Sequence, residues 1–129
     1  MSRAHLKVLL IDDNQDIRDL MRMMLEKTGL TVFEAEDGAK GLIKAREIKP
    51  DLILLDVMMP GLSGFQVLEQ IREEKGSQLR EVPILMITAK SQSEDVDRAL
   101  SLGATGYIVK PFRQVKFIEK VNSLLGIEG

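Results

Sequence analysis

Apolar and polar positions along the chain follow two periods in strict alternation. Short runs of leucine and β-branched residues fill positions 6–11, 31–35, 52–55, 84–87 and 107–109. Each is too brief for a helix of ordinary length, and together they predict five strands. Four are almost continuously apolar, as expected of parallel strands covered on both faces, whereas 31–35 is more mixed and suits an edge. Between the strands the apolar positions recur every three or four residues. Ile17, Leu20, Met21, Met24 and Leu25 mark one face of a first helix, which Gly29 is placed to end as a left-handed cap. Its methionines read as core filler. Leu42 and Ala45, then Phe65, Leu68 and Ile71, then Val96, Ala99 and Leu100, then Ile118, Val121 and Leu125 mark four more helices. Ser91 or Ser93 is suited to cap the fourth, with Glu94 and Asp95 in its first turn beside the positive end of the dipole. The polar stretch 73–81, which contains Gly76, reads as a loop.

Five strands alternating with five helices make a (βα)5 chain. Parallel strands joined by helices need right-handed crossovers, which leads to an α/β fold: an open, doubly wound parallel sheet of five strands with helices on both faces. The chain has 129 residues, 44% of them hydrophobic, enough for one compact core. Without a repeat, linker or low-complexity tract, residues 1–129 read as a single domain with its core at about 5–125.

Charge and composition narrow the chemistry. Eighteen basic against 20 acidic residues give a net charge of −2. That lacks the basic excess needed to neutralise phosphates, and with four Phe, one Tyr and no Trp it argues against direct nucleic-acid binding. The absence of Cys excludes disulfides, thiolate metal sites and cysteine nucleophiles. The only imidazole, His5, precedes the first strand, which leaves no catalytic triad or paired-histidine zinc site. Residues 1–7 carry no signal-like apolar core, and no apolar stretch approaches the roughly 20 residues of a membrane span. A cytoplasmic protein without a membrane partner is expected. Chemistry falls to carboxylates, hydroxyls, lysine and a hard metal ion.

In a doubly wound sheet, ligands bind beyond the carboxyl ends of the strands. Those ends carry Asp12 and Asp13, then Asp56, then Thr88, then Lys110. Singly, each has an ordinary reading. Asp13 or Asn14 can cap the first helix, Asp56 can begin the turn through Met58, Met59, Pro60 and Gly61, Thr88 can simply end its strand, and Lys110 can be a solvated charge. Together they are hard to treat as structure only, because three carboxylates on one rim repel unless a cation neutralises them or their pKa values rise. Oxygen donors without His or Cys select a hard divalent ion, and Mg²⁺, which keeps waters and shares phosphoryl oxygens, suits the set better than zinc. An ammonium and a hydroxyl opposite would then bind an anion beside the cation.

At these positions the chain resembles the receiver domain of two-component response regulators. The match runs through VLLIDDN, DLILLDVMMPGLSGFQVLEQIR, VPILMITAK and GATGYIVKPF, in order and at the corresponding strand ends. The resemblance implies a flavodoxin-like sheet of strand order 2-1-3-4-5. It implies that Asp56 accepts a phosphoryl group from a phosphohistidine of a sensor histidine kinase or phosphotransfer protein. It implies that Asp13, Asp56 and the backbone carbonyl of Met58 ligate Mg²⁺, with Asp12 acting through a water, and that Lys110 and Thr88 bind the phosphoryl oxygens. The Lys110–Pro111 bond is then expected to be cis, Tyr107 to be the switch aromatic that turns inward as Thr88 moves, and Gly61 and Gly64 to let the turn after Asp56 approach the site. The surface formed by the fourth helix, fifth strand and fifth helix would meet a downstream effector. The protein would be a signalling switch that catalyses only its own phosphotransfer and dephosphorylation.

Four positions set this chain apart. Thr105 and Gly106 stand where winged-helix regulators often carry acidic residues for a dimer, which points toward single-domain, chemotaxis-type receivers. Met58 and Lys90, each two residues beyond a site residue, occupy places that in receivers influence acyl-phosphate lifetime. A receiver-like adaptor that works without phosphate is the alternative, although its usual sign, loss of a site residue, is absent. A dehalogenase-type phosphatase would need an Asp where Met58 stands, and a flavodoxin a hydroxyl- and glycine-rich loop where Asp12, Asp13 and Asn14 stand.

Overall fold

The structure is a computed structural model and describes residues 3–127. Residues 1, 2, 128 and 129, and with them the ends of the 1–129 domain reading, lie outside the described part. The chain runs β1 (Lys7–Ile11), α1 (Gln15–Glu26), β2 (Thr31–Ala35), α2 (Gly38–Ile48), β3 (Leu52–Leu55), α3 (Gly64–Arg72), β4 (Ile84–Thr88), α4 (Ser93–Ser101), β5 (Gly106–Val109) and α5 (Gln114–Leu125). All four strand pairings are parallel and the order is β2-β1-β3-β4-β5, the expected doubly wound, flavodoxin-like arrangement.

The period of two along the strands sorts the core into two layers. Leu9, Ile11, Ile53, Leu55, Ile84 and Met86 face Leu42 and Ala45 of α2, Phe65, Leu68 and Ile71 of α3, and Ala99 of α4. Val8, Leu10, Leu52, Leu54, Leu85 and Ile87 face Met21, Met24 and Leu25 of α1 and Phe117 and Val121 of α5. β1, β3 and β4 are buried between the layers from end to end, apart from Lys7 at the start of β1. The expectation that β5 is covered on both faces does not hold. It is the second edge strand, and Tyr107, Ile108 and Val109 keep partial access to solvent.

Helix ends depart from expectation in instructive ways. Asn14, not Asp13, caps α1, accepting the Ile17 amide at 3.1 Å. α1 stops at Glu26, so Gly29, at φ +90°, shapes the turn into β2 and is not the cap itself. α4 begins at Ser93 with Gln92 at its N-cap, and neither Ser91 nor Ser93 supplies a capping bond. The 73–81 stretch is not wholly loop, because Gln78–Glu81 forms a 3-10 turn that Ser77 caps and Leu79 anchors in the core. Leu20 and Leu100, assigned to buried faces by spacing, are about half exposed, since each helix buries a stripe narrower than its apolar residues span. No helix among the described residues is long and apolar enough to cross a membrane.

Candidate functional site

The strand ends are held level by backbone bonds that continue the ladders one residue past each strand. Asp56 N–H donates to the Ile11 carbonyl at 3.0 Å and Lys110 N–H to the Thr88 carbonyl at 2.8 Å. Asp12 N–H reaches the Ala35 carbonyl at 3.3 Å. These bonds bring residues that lie up to 98 positions apart to one rim. Carboxylate oxygens of Asp12, Asp13 and Asp56 all lie within 4.8 Å of one another. Asp12 and Asp56 are buried, and Asp13 is exposed at the mouth. Lys110 Nζ stands between two of them, 2.9 Å from Asp12 Oδ2 and 3.3 Å from Asp56 Oδ2.

The two buried carboxylates have fixed directions. Asp12 Oδ1 accepts the Asn14 amide at 2.9 Å, and Asp56 Oδ1 accepts the Met58 amide at 3.1 Å. Burial pushes the Asp56 carboxyl above its ordinary value. The Met58 amide and the Lys110 charge oppose that rise, the neighbouring Asp12 charge adds to it, and the Thr88 hydroxyl opposes it more weakly. Burial disfavours the Lys110 ammonium, but its bond to Asp12 and the charges of Asp56 and Asp12 prevail and its pKa is raised. The lysine is therefore a fixed cation at neutral pH.

Thr88 is fully buried at the end of β4, and its hydroxyl accepts the Lys90 amide at 3.3 Å. Tyr107 is partly buried, with its hydroxyl donating to the Lys90 carbonyl at 2.8 Å. Burial, with the charges of Asp95 and Asp56, raises its phenol pKa. The Lys110–Pro111 bond is cis, as expected. Asp12, Asp13, Asp56 and Lys110 thus converge, Thr88 and Tyr107 meet the backbone of Lys90 beside them, and the Met58 side chain points to solvent while its backbone amide stays at the rim.

Sequence reasoning overlooked Arg18. Its guanidinium is buried behind the rim, donating to Glu34, Gln15 and the backbone carbonyl of Asp12. The signal was its spacing, since 18, 21 and 25 lie on one stripe of α1 and an arginine there must bury its charge among partners.

The donor set consists of oxygens alone, clustered at ligand spacing and carrying three negative charges against one ammonium. It fits a hard divalent cation such as Mg²⁺. Comparison with known proteins agrees. The family profile of the response regulator receiver domain matches residues 8–122. The transcriptional regulatory protein ResD of Bacillus subtilis is 42% identical over 119 residues, which cover 92% of this chain and 48% of that protein. DNA-binding response regulator MtrA of Mycolicibacterium smegmatis is 34% identical over 125 residues, 97% of this chain and 53% of that one. The chain thus spans about half the length of the curated relatives it matches. Among solved structures, the chemotaxis response regulator CheY4 of Vibrio cholerae superimposes with a TM-score of 0.85 at 34% identity, covering 92% of this chain and 98% of that one. A response regulator structure from Chloroflexus aurantiacus gives 0.88 at 26% identity, covering 94% and 98%. Likeness of this extent, on a fold with this strand order and this acidic rim, leaves a single assignment: the chain belongs to the response regulator receiver domains, a family of signalling switches.

Proposed function

We propose that this chain is the phosphoacceptor of a two-component system, taking a phosphoryl group onto Asp56 from a phosphohistidine of a sensor histidine kinase or phosphotransfer protein in the cytoplasm. The observation that carries the reading is the position of the Asp56 carboxylate, at the bottom of a rim shared with Asp12 and Asp13 and 3.3 Å from Lys110. An Asp56 carboxylate oxygen forms the new bond to phosphorus as the phosphorus–nitrogen bond of the donor breaks. The electron pair leaves with the imidazole, which takes up a proton, and the product is an acyl phosphate. The nucleophile needs no general base once ionised. Hydrolysis by water later returns the carboxylate and inorganic phosphate, so the protein acts only on itself.

Asp13, Asp56 and the Met58 carbonyl would hold Mg²⁺, with Asp12 acting through a water. The ion would supply neutralisation of the carboxylates and of the phosphoryl oxygens beside them. Lys110 binds one phosphoryl oxygen and Thr88 donates its hydroxyl to another. Phosphorylation adds close to two negative charges at an anionic rim, and only a state with Thr88 and Lys110 drawn in satisfies them. Tyr107, already bonded to the Lys90 carbonyl, follows Thr88. The readout surface is α4, β5 and α5, where Leu100, Val109 and Val115 expose apolar side chains for an effector. Nucleic acid stays outside this function, given the net charge of −2.

Incubation with acetyl phosphate and Mg²⁺ followed by intact mass measurement tests the reading. One phosphoryl group is expected, absent with chelator and absent in Asp56→Asn. Labelling that persists in the variant would move the acceptor elsewhere.

A further inference from the structure

Among the described residues Arg18 is the one buried cation, with its side chain 8% exposed. A guanidinium out of water requires partners on every side, and a single carboxylate would satisfy the charge. Glu34 of edge strand β2 is that carboxylate, 2.9 Å from Arg18 Nε. Glu34 is itself shared, because Arg22 Nε lies 2.6 Å from its other oxygen while Arg22 Nη1 reaches Glu26 at 3.0 Å. Arg18 nevertheless commits two further donors toward the rim, Nη2 to Gln15 Oε1 at 2.6 Å and Nη1 to the Asp12 carbonyl.

That carbonyl belongs to the peptide joining two of the three rim carboxylates. Asp12 is otherwise well fixed, by its amide on Ala35, its Oδ1 on Asn14 and its Oδ2 on Lys110. Asp13 is not. Its exposed carboxylate receives no hydrogen bond from the described residues, so its direction depends on the backbone that carries it. Rotation of the Asp12–Asp13 peptide would swing Asp13 away from the other two oxygens and disturb the Asn14 cap.

We propose that Arg18 is a positioning residue of the acidic rim: it clamps the Asp12–Asp13 peptide to edge strand β2 through Glu34 and thereby presets Asp13 to share a divalent cation with Asp56. The proposal rests on the Mg²⁺ reading above. It gives the guanidinium a task that a lysine cannot perform, because an ammonium lacks the planar fork that spans a carboxylate and a carbonyl together.

Two variants of the full chain separate this role from a purely structural one. Arg18→Lys keeps the buried charge and its attraction to Glu34 but gives up the fork. Arg22→Met removes the other guanidinium on Glu34 and leaves the Asp12 carbonyl untouched. Isothermal titration with Mg²⁺ is expected to show affinity weakened by about 10-fold in Arg18→Lys, as for other outer residues that orient metal ligands, and unchanged in Arg22→Met. The rate of labelling by acetyl phosphate, followed against Mg²⁺ concentration, should shift to higher Mg²⁺ by the same factor in Arg18→Lys and reach the wild-type plateau at saturation. Wild-type Mg²⁺ affinity in Arg18→Lys would overturn the proposal while leaving the phosphoacceptor reading intact, and so would equal weakening in Arg22→Met. Failure of the wild type to bind Mg²⁺ would remove both.

Discussion

Asp56 combines burial with three charged neighbours, Asp12, Asp13 and Lys110. Burial has the largest influence on its acidity and raises the carboxyl above its ordinary 3.8, with the Met58 amide and Lys110 only partly restoring the anion. The folded protein therefore holds this proton more tightly than the unfolded chain does. The stability this contributes is present in full below the unfolded value and is lost as pH rises through the folded one. At neutral pH without metal, the fold thus carries an ionised group it would prefer neutral. Asp56→Asn keeps the shape and removes that charge. In chelator, urea unfolding should find the variant more stable than wild type near neutral pH, with the gap narrowing as pH falls toward about 4. A gap that ignores pH, or a wild type that is the more stable at neutrality, would contradict burial as the dominant influence.

The turn from β3 into α3 must bring a helix within contact of the strand end that carries Asp56. Gly64, the first residue of α3, allows it: its amide donates to the Val57 carbonyl at 2.9 Å, and a Cβ there would lie 2.2 Å from the Asp56 carbonyl oxygen and 2.7 Å from Val57 Cα. Those neighbours are backbone and cannot step aside singly. Gly64→Ala should lower stability by about 1–3 kcal/mol or more and, by displacing the Asp56 peptide, slow labelling by acetyl phosphate. Gly61→Ala is the contrast, with φ +77° but nothing within 4 Å of its Cβ. It should cost about 1–2 kcal/mol in unfolding free energy from left-handed strain and leave the labelling rate alone. Equal effects of both on labelling would deny the close approach its role. At this scale the type and order of the elements were readable from the period, while the depth of burial was less so, as half-exposed Leu20 and Leu100 show. Five strands, five helices and the five site residues at strand ends all stand where spacing placed them. Helix ends were less readable, because a cap depends on which oxygen meets which amide: Ser63 and Gln66 form a reciprocal capping box on α3, and Asp37 caps α2. Their S-x-x-Q and Asp-Gly signatures were present but competed with many similar polar residues. Arg18 was missed for a related reason: its spacing on the buried stripe of α1 signals a buried charge, but the backbone carbonyl it meets is not written in the spacing.

Across the whole molecule, parallel order is what gathers the rim, because every strand delivers its carboxyl end to the same side. The unfolded chain has no such site: Asp12 and Asp56 are 44 residues apart in sequence and meet only once β1 and β3 have paired. A cation held by all three carboxylates therefore binds the folded state alone, and its binding free energy adds to stability as RT ln(1 + [Mg²⁺]/Kd). At 100 times Kd that is about 2.7 kcal/mol. For a domain of this size it corresponds to a rise in Tm of roughly 10 °C. Screening by NaCl at equal ionic strength acts on exposed charges without needing the site, so its effect should be smaller and similar in wild type and variants. Asp13→Ala removes the exposed carboxylate while sparing the buried pair that Lys110 bridges, so it should retain the NaCl response and lose most of the Mg²⁺ response. Thermal melts of both proteins in chelator, in Mg²⁺ and in matched NaCl decide the matter. Equal Mg²⁺ shifts in the two would mean that Asp13 is no ligand, and a NaCl shift as large as the Mg²⁺ shift would mean that the rim responds to ionic strength and holds no specific ion.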